Sequence, residues 1–129
     1  MKSNYKLAIA LVAGAAIGAA AVQGLHAQAK PPVYVIQEIT VSNLDAYLKE
    51  FVPKARALGD ASGSRSLTLG SGKVTSIAGE PQKSRVVIRQ WESMEKLQAW
   101  LNSAENKELR KIGDKYAKFR IFAVEGVPQ

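Results

Sequence analysis

Few residues in this sequence are equipped for chemistry. There is no cysteine, and the single histidine, His26, lies in an N-terminal segment that we expect to be removed. Without these residues the remaining chain cannot support Ser-His or Cys-His catalysis, and a zinc site is disfavoured. Haem would also lack its usual axial ligands. We therefore expect a domain with no metal and no cofactor.

Three glutamates are the candidates for a general base. Glu38, Glu92 and Glu125 lie in or beside predicted strands. A carboxylate that is buried in an apolar site would have the raised pKa that such a base needs. The alternative, which we favour, is an ion pair with an arginine at the sheet edge. The candidate arginines are Arg65, Arg85, Arg89 and Arg120.

Aromatic and polar side chains point to a second possibility, the binding of a small molecule. Tyr47 and Trp100 lie on predicted helix faces, where they could stack on a flat ligand or pack in the core. Asn102 lies at a predicted helix break, where it could bind a ligand or cap the helix. The candidate ligand-binding residues are Tyr47, Arg65, Trp100, Asn102 and Arg110.

The C-terminal part of the chain is basic. Acidic residues are interspersed there, which favours a solvated helix surface over a contact with anionic lipid or a polyanion. Aromatic residues do not alternate with the basic ones, so we expect no nucleic-acid partner. The basic residues are Lys107, Arg110, Lys111, Lys115, Lys118 and Arg120, and the acidic ones are Glu105, Glu108 and Asp114.

Several segments have the composition of strands. Val33–Val41 and Arg85–Trp91 are rich in β-branched residues, and Phe119–Glu125 is a further apolar segment of strand length. Arg65–Leu69 and Lys73–Ala78 flank a Gly-Ser-Gly sequence and predict a short hairpin, although the second arm could equally be irregular.

Helices are predicted between residues 44 and 58, after Ser93 and after Ser103. Apolar residues between 44 and 58 recur at helical spacing, and Pro53 is expected to bend this helix or loosen its middle. Ser42 or Asn43 could cap it. Ser93 and Ser103 offer hydroxyl groups to the first turns of two further helical pieces. The order of elements is therefore β-α-β-(β)-β-α-β.

This order predicts an α+β fold, a ferredoxin-like βαββαβ sandwich with an antiparallel sheet and helices on one face. Apolar residues such as Val35 and Ile36 occupy both faces of the strands. A monomer would leave a large apolar patch in water. We therefore expect a homodimer that forms through the sheet faces.

Residues 1–29 have the features of a secretory signal peptide, and residues 30–129 form a single domain. Lys2 and Lys6 precede an apolar run at 7–22, and small-residue cleavage patterns end at Ala27 and Ala29. Removing both lysines would lower the net charge from +7 to +5. The sequence thus predicts a periplasmic or secreted protein, with membrane contact only if the segment stays uncleaved as an anchor.

The domain resembles family 1330 of the domains of unknown function, in the dimeric α/β-barrel superfamily. The resemblance implies a βαββαβ domain that dimerises through its sheets, with a cavity between sheet and helices. The chain departs from the family pattern at Ser62, Ser66, Ala104 and Asn106. The matching residues are Tyr34–Ile39, Asp45–Tyr47, Pro53, Gly63, Arg65, Gly79–Pro81, Arg85–Ile88, Ser93–Trp100, Asn102, Ser103 and Phe122–Gly126.

These features lead to one functional expectation and two alternatives. We expect an exported small-molecule-binding or accessory domain that holds an apolar or aromatic ligand between sheet and helices. The first alternative is a cofactor-independent enzyme, an oxygenase or isomerase by analogy with the superfamily. The second is an envelope-interaction protein that acts through its basic surface.

Overall fold

The computed structural model describes residues 30–128, whose helices and strands lie in the compact unit Pro31–Val127. The predicted signal peptide, residues 1–29, falls outside the described residues and stays a prediction. Within the described range, no helix is long and apolar enough to cross a membrane.

One antiparallel sheet organises the described part of the chain. Its strand order is β2-β3-β1-β4, so β1 and β3 are the inner strands. Together with three helices, this sheet forms an α+β domain that is consistent with the predicted ferredoxin-like fold. The strands are β1 (Val33–Val41), β2 (Arg65–Ser66), β3 (Arg85–Trp91) and β4 (Ala117–Glu125).

The predicted hairpin is only partly formed. Its first arm is reduced to the two residues of β2, and Lys73–Ala78 contains no strand. Leu69 begins a tight turn in which its carbonyl accepts a hydrogen bond from the Gly72 N–H at 2.9 Å. The turn therefore lies at the predicted Gly-Ser-Gly sequence, but no strand directly follows it. Residues 67–84 therefore form a long irregular connection.

The first helix, α1, continues through Pro53 and has a wider, π-helical turn just before it. It consists of Leu44–Ala46, a π-helical turn at Tyr47–Phe51, and Val52–Ala61. Proline has no N–H and crowds the preceding turn, and the wider π-helical turn accommodates both properties. Asn43, one of the two predicted caps, accepts a hydrogen bond from the Ala46 N–H at 3.2 Å.

The other two helices begin at their predicted caps. These are α2 (Met94–Leu101) and α3 (Ala104–Asp114). Ser93 Oγ accepts a hydrogen bond from the Lys96 N–H at 3.3 Å, and Ser103 Oγ accepts one from the Asn106 N–H at 3.1 Å. Both capping predictions are confirmed. The short break between the helices turns the chain so that α2 and α3 can both pack on the sheet.

The helices pack against one side of the sheet, here called the helix face. Val33, Val35 and Ile39 of β1 point towards them and are buried, and Val33 has no exposed area. The core consists of two clusters on this face. One joins Ile39, Tyr47, Phe51, Leu109 and Ala117, and the other joins Val33, Val35, Trp91 and Leu97.

The opposite side of the sheet, here called the open face, has no helix over it in the described range. Its central row consists of Ile36, which pairs with Ile88 on one side and Phe122 on the other. Phe122 is 39% exposed although it is a large apolar residue. In the neighbouring row Arg120 forms an ion pair with Glu38 at 2.6 Å.

Candidate ligand-binding site

A cavity of about 490 Å³ lies between the helix face of the sheet and the three helices. This volume is within the range of about 300–1,000 Å³ that is usual for small-molecule sites. Its walls are mainly aliphatic and aromatic. Leu48, Leu69, Leu101 and Ile121 line it and are each at least 40% exposed, so the cavity opens to solvent between them.

Arg85 projects from β3 into this cavity. Its Nε atom is buried and has no hydrogen-bond partner among the described residues. Its guanidinium carbon lies 5.7 Å from the centre of the Tyr47 ring, within cation–π range. Gly70 lies over the same group, because a Cβ built there would be 3.3 Å from an Arg85 terminal nitrogen. Arg85 therefore lies between α1 and the β2–β3 connection.

Arg89, two pleats further along β3, has a different environment. It is 7% exposed, and its Nε donates to Ser64 Oγ at 2.9 Å. A terminal nitrogen donates to Asp60 Oδ1 at 2.6 Å. Ser64 in turn donates to the Gly59 carbonyl at 2.6 Å. This network fixes the C-terminal end of α1 to the sheet.

Gly59 is required for this network because a Cβ there would lie 2.9 Å from the Arg89 guanidinium carbon. We expect Gly59→Ala to destabilise the wild type by about 1–2 kcal/mol, despite the better helix propensity of alanine. In an Arg89→Ala background the clash is absent. The same substitution should then be neutral or stabilising by up to about 1 kcal/mol. Urea unfolding of the four proteins measures this change of sign, and equal effects in both backgrounds would contradict the close approach.

Tyr47 supplies the hydroxyl nearest to Arg85. It is 3% exposed. Burial raises the pKa of the Tyr47 hydroxyl above its ordinary value, and the nearby Arg85 guanidinium partly offsets the shift. The hydroxyl is therefore protonated throughout the neutral range. It can donate a hydrogen bond in the cavity, but it is not a base there.

No carboxylate lines the cavity in the described part of the chain. Glu38 lies on the open face, paired with Arg120 as the ion-pair interpretation predicted. Glu92 forms an ion pair with Lys96 at the start of α2. Glu125 is exposed near the end of β4. Within residues 30–128, no three Asp, Glu, His or Cys side chains come together as a metal site.

The five candidate ligand-binding residues separate into two groups. Tyr47, Trp100 and Arg110 line the cavity. Arg65 does not, because its strand position pairs with Gln90 and both side chains point to the open face, where they form a hydrogen bond of 2.9 Å. Asn102 is also outside, since it is the exposed C-cap of α2. A ligand-binding role for these residues stays a prediction.

Sequence reasoning missed three cavity residues on β3, namely Arg85, Arg89 and Trp91. Arg85 and Arg89 were considered only as partners for glutamates. The signal that could have found them is the two-residue period of a strand, which places both arginines on the same face as Trp91. Trp91 is 2% exposed, and its Nε1 atom has no hydrogen-bond partner among the described residues.

The basic C-terminal stretch is a surface of mixed charge. On α3, Lys111 lies 3.0 Å from Glu108, and Arg110 lies 3.7 Å from Asp114. Such exposed pairs contribute little to stability. They do reduce the local positive charge, as expected for a solvated helix surface.

Solved structures with this fold come from several bacteria. A protein of unknown function from Rhodopseudomonas palustris superimposes with a TM-score of 0.62 at 11% identity, over 78% of this chain and 85% of that chain. A protein from Bacteroides thetaiotaomicron, described as a possible oxidoreductase, gives 0.52 at 12% identity, over 75% and 99%. SnoaB, a cofactor-independent oxygenase from Streptomyces nogalater, gives 0.52 at 11% identity, over 77% and 96%. At these identities the similarity shows the fold alone.

Sequence comparison identifies a family for this chain. A search of curated proteins finds no significant relative. The family model for the domain of unknown function DUF1330 matches residues 32–127, which include every strand and helix of the described domain. The chain therefore belongs to the DUF1330 family, whose function is unknown.

Proposed function

We propose that this domain binds a small, largely apolar molecule in the cavity between sheet and helices, without a cofactor. The observation that carries the proposal is the cavity itself, about 490 Å³ with mainly apolar walls and an opening to solvent. Trp100 and Tyr47 offer flat surfaces to a ring or an alkyl chain.

A neutral fluorescent probe, N-phenyl-1-naphthylamine, tests the proposal. We expect it to bind with a dissociation constant in roughly the micromolar range, because apolar contacts of this size give about that affinity. Ala55→Phe would fill part of the cavity that Ala55 lines, and should weaken binding at least about tenfold. Ala57→Phe is the matched control, since Ala57 is exposed on the same helix and lies outside the cavity lining.

The outcomes separate the cavity from other apolar surfaces. Equal probe affinity in the two alanine variants would place the probe elsewhere, for example on the open face. Absence of binding to the wild type at any probe concentration would refute the proposal. Thermal unfolding of both variants shows whether each remains folded during the titration.

The runner-up is a cofactor-independent oxygenase, which the fold shared with SnoaB keeps as a candidate. Proton abstraction from a substrate needs a base, and the cavity lining contains no carboxylate in the described range. Tyr47, the remaining acid–base candidate, is protonated near neutral pH because burial raises its pKa. Oxygen consumption with electron-rich phenols that is lost in Tyr47→Phe would replace the binding proposal with this one.

The proposal includes a homodimer and an extracytoplasmic location. The open face supports the dimer, because its row of Ile36, Ile88 and Phe122 would be covered by a second copy. Export is supported by the sequence of residues 1–29, with cleavage after Ala27 or Ala29. Contact with a membrane would follow only if that segment remained uncleaved.

A further inference from the structure

We infer that the ligand of this cavity carries a negative charge, a carboxylate on an apolar body, which binds at Arg85. The inference rests on the proposed function and deepens it by naming the class of ligand. Arg85 is attached to β3 at one end of the cavity, with the Tyr47 ring beside it and the turn at Gly70 over it. An elongated molecule would therefore place its charged end there.

The charge balance of the cavity lining favours an anionic ligand. Four arginines line the cavity and no aspartate or glutamate does so in the described range. Arg89 is neutralised by Asp60, and Arg110 lies 3.7 Å from Asp114. Arg56 is exposed and therefore solvated. Arg85 is the half-buried member of the set for which the described residues provide no ion pair.

The hydrogen-bond donors of Arg85 also favour a carboxylate. Its Nε–H is buried without an acceptor, and a buried donor that lacks a partner is costly. The Tyr47 ring lies within cation–π range of the guanidinium, and the Tyr47 hydroxyl interacts with the Arg85 side chain without carrying a negative charge. A carboxylate could accept two parallel hydrogen bonds from the terminal nitrogens of this planar group, since the Nε atom is closed to a water-sized group. The Tyr47 hydroxyl, which is protonated, could donate a further bond to the same group.

Arg85 and Arg89 share one face of β3 but differ in their hydrogen-bond partners. Arg89 has protein acceptors for both Nε and a terminal nitrogen, so it acts as a structural tie. Arg85 has no acceptor for its Nε in the described range, and its guanidinium borders open volume. Protein groups therefore satisfy Arg89, whereas the guanidinium of Arg85 remains available to an acceptor on a ligand.

A pair of matched competitors tests the inference near neutral pH. Decanoate and decan-1-ol share an alkyl chain, but only decanoate carries a charge. Each is titrated against protein that has been loaded with N-phenyl-1-naphthylamine. We expect decanoate to displace the probe at a concentration at least about tenfold lower than the alcohol, the usual scale of a charge-assisted hydrogen bond.

Variants locate the effect. Arg85→Gln should weaken decanoate binding about tenfold or more and abolish its advantage over the alcohol, with each competitor's affinity calculated from the probe affinity measured for that variant. Arg85→Lys retains the charge but loses the fork, so an intermediate affinity is expected. Lys107→Gln is the control for loss of a positive charge, since Lys107 is exposed on α3 and outside the cavity lining. It should behave as the wild type.

The outcomes distinguish this inference from the proposed function. Equal competition by acid and alcohol on the wild type, with the probe bound, overturns the anionic ligand and leaves the apolar cavity standing. An undiminished decanoate preference in folded Arg85→Gln overturns the role of Arg85. Absence of binding by the probe and by both competitors overturns the proposed function and this inference together. Should Arg85→Gln not fold, the competitor pair on the wild type and on Arg85→Lys still decides.

Discussion

Phe51→Ala is expected to lower the free energy of unfolding by about 3–5 kcal/mol, the usual cost of removing a buried phenylalanine ring. Phe51 is 7% exposed and lies in the π-helical turn of α1. Its ring centre is 5.2 Å from that of Tyr47 and 5.4 Å from that of Phe119 on β4. It also packs on α3, where a Cβ at Gly113 would lie 2.7 Å from Phe51 Cε2.

The effect is large because one ring joins α1, α3 and β4. Leu48→Ala is the matched control on the same helical turn, and because Leu48 is 43% exposed its loss should cost about 1 kcal/mol or less. Urea unfolding followed by circular dichroism gives both values, measured at several protein concentrations in case assembly contributes. A loss below about 1.5 kcal/mol for Phe51→Ala would contradict this account of the core.

Ile36→Lys is expected to convert the proposed homodimer to a monomer, with a dimer dissociation constant raised about a thousandfold or more. Ile36 lies on the open face at the centre of β1, between Ile88 and Phe122. A charge placed between two packed sheets would lack a partner, which costs several kcal/mol. In the monomer the same side chain can reach solvent, so the domain itself should remain folded.

Sedimentation velocity measures the change in mass, and circular dichroism checks the fold. Gln98→Lys on α2 is the control. Gln98 is exposed on the helix side of the molecule, and its substitution also introduces one positive charge. A wild-type protein that sediments as a monomer at high micromolar concentration would exclude the proposed dimer. Persistence of the dimer in folded Ile36→Lys would place the interface elsewhere.

Phe51 packs on the helix face of the sheet, whereas Ile36 lies on the open face. The helix face holds the core and the cavity, and the open face presents the apolar row of Ile36, Ile88 and Phe122 without a cover in the described range. Covering the open face would stiffen the sheet from which Arg85, Arg89 and Trp91 project. We therefore expect dimer formation and ligand affinity to be coupled in Ile36→Lys.

The sequence by itself determined the order and type of the elements. The β-branched runs predicted β1 and β3 with the bounds observed, because local composition and period decide whether a segment suits a pleated surface. Ser93 and Ser103 marked the starts of α2 and α3, since an N-cap is an interaction between near neighbours in the chain. The α+β class followed from that order, and the family followed from the matching residues.

Only the tertiary structure decided which side chains share the cavity. The alternation of a strand assigns Arg65 and Ser66 to opposite faces, but the pairing of β2 with β3 decides that Ser66, and not Arg65, points inward. The cavity is the space that α1, α2 and α3 leave unfilled over the sheet. Such a space depends on the packing of distant segments, which local periodicity does not encode. For that reason Arg85 could be predicted as a strand residue, whereas its unpaired position in a cavity could not.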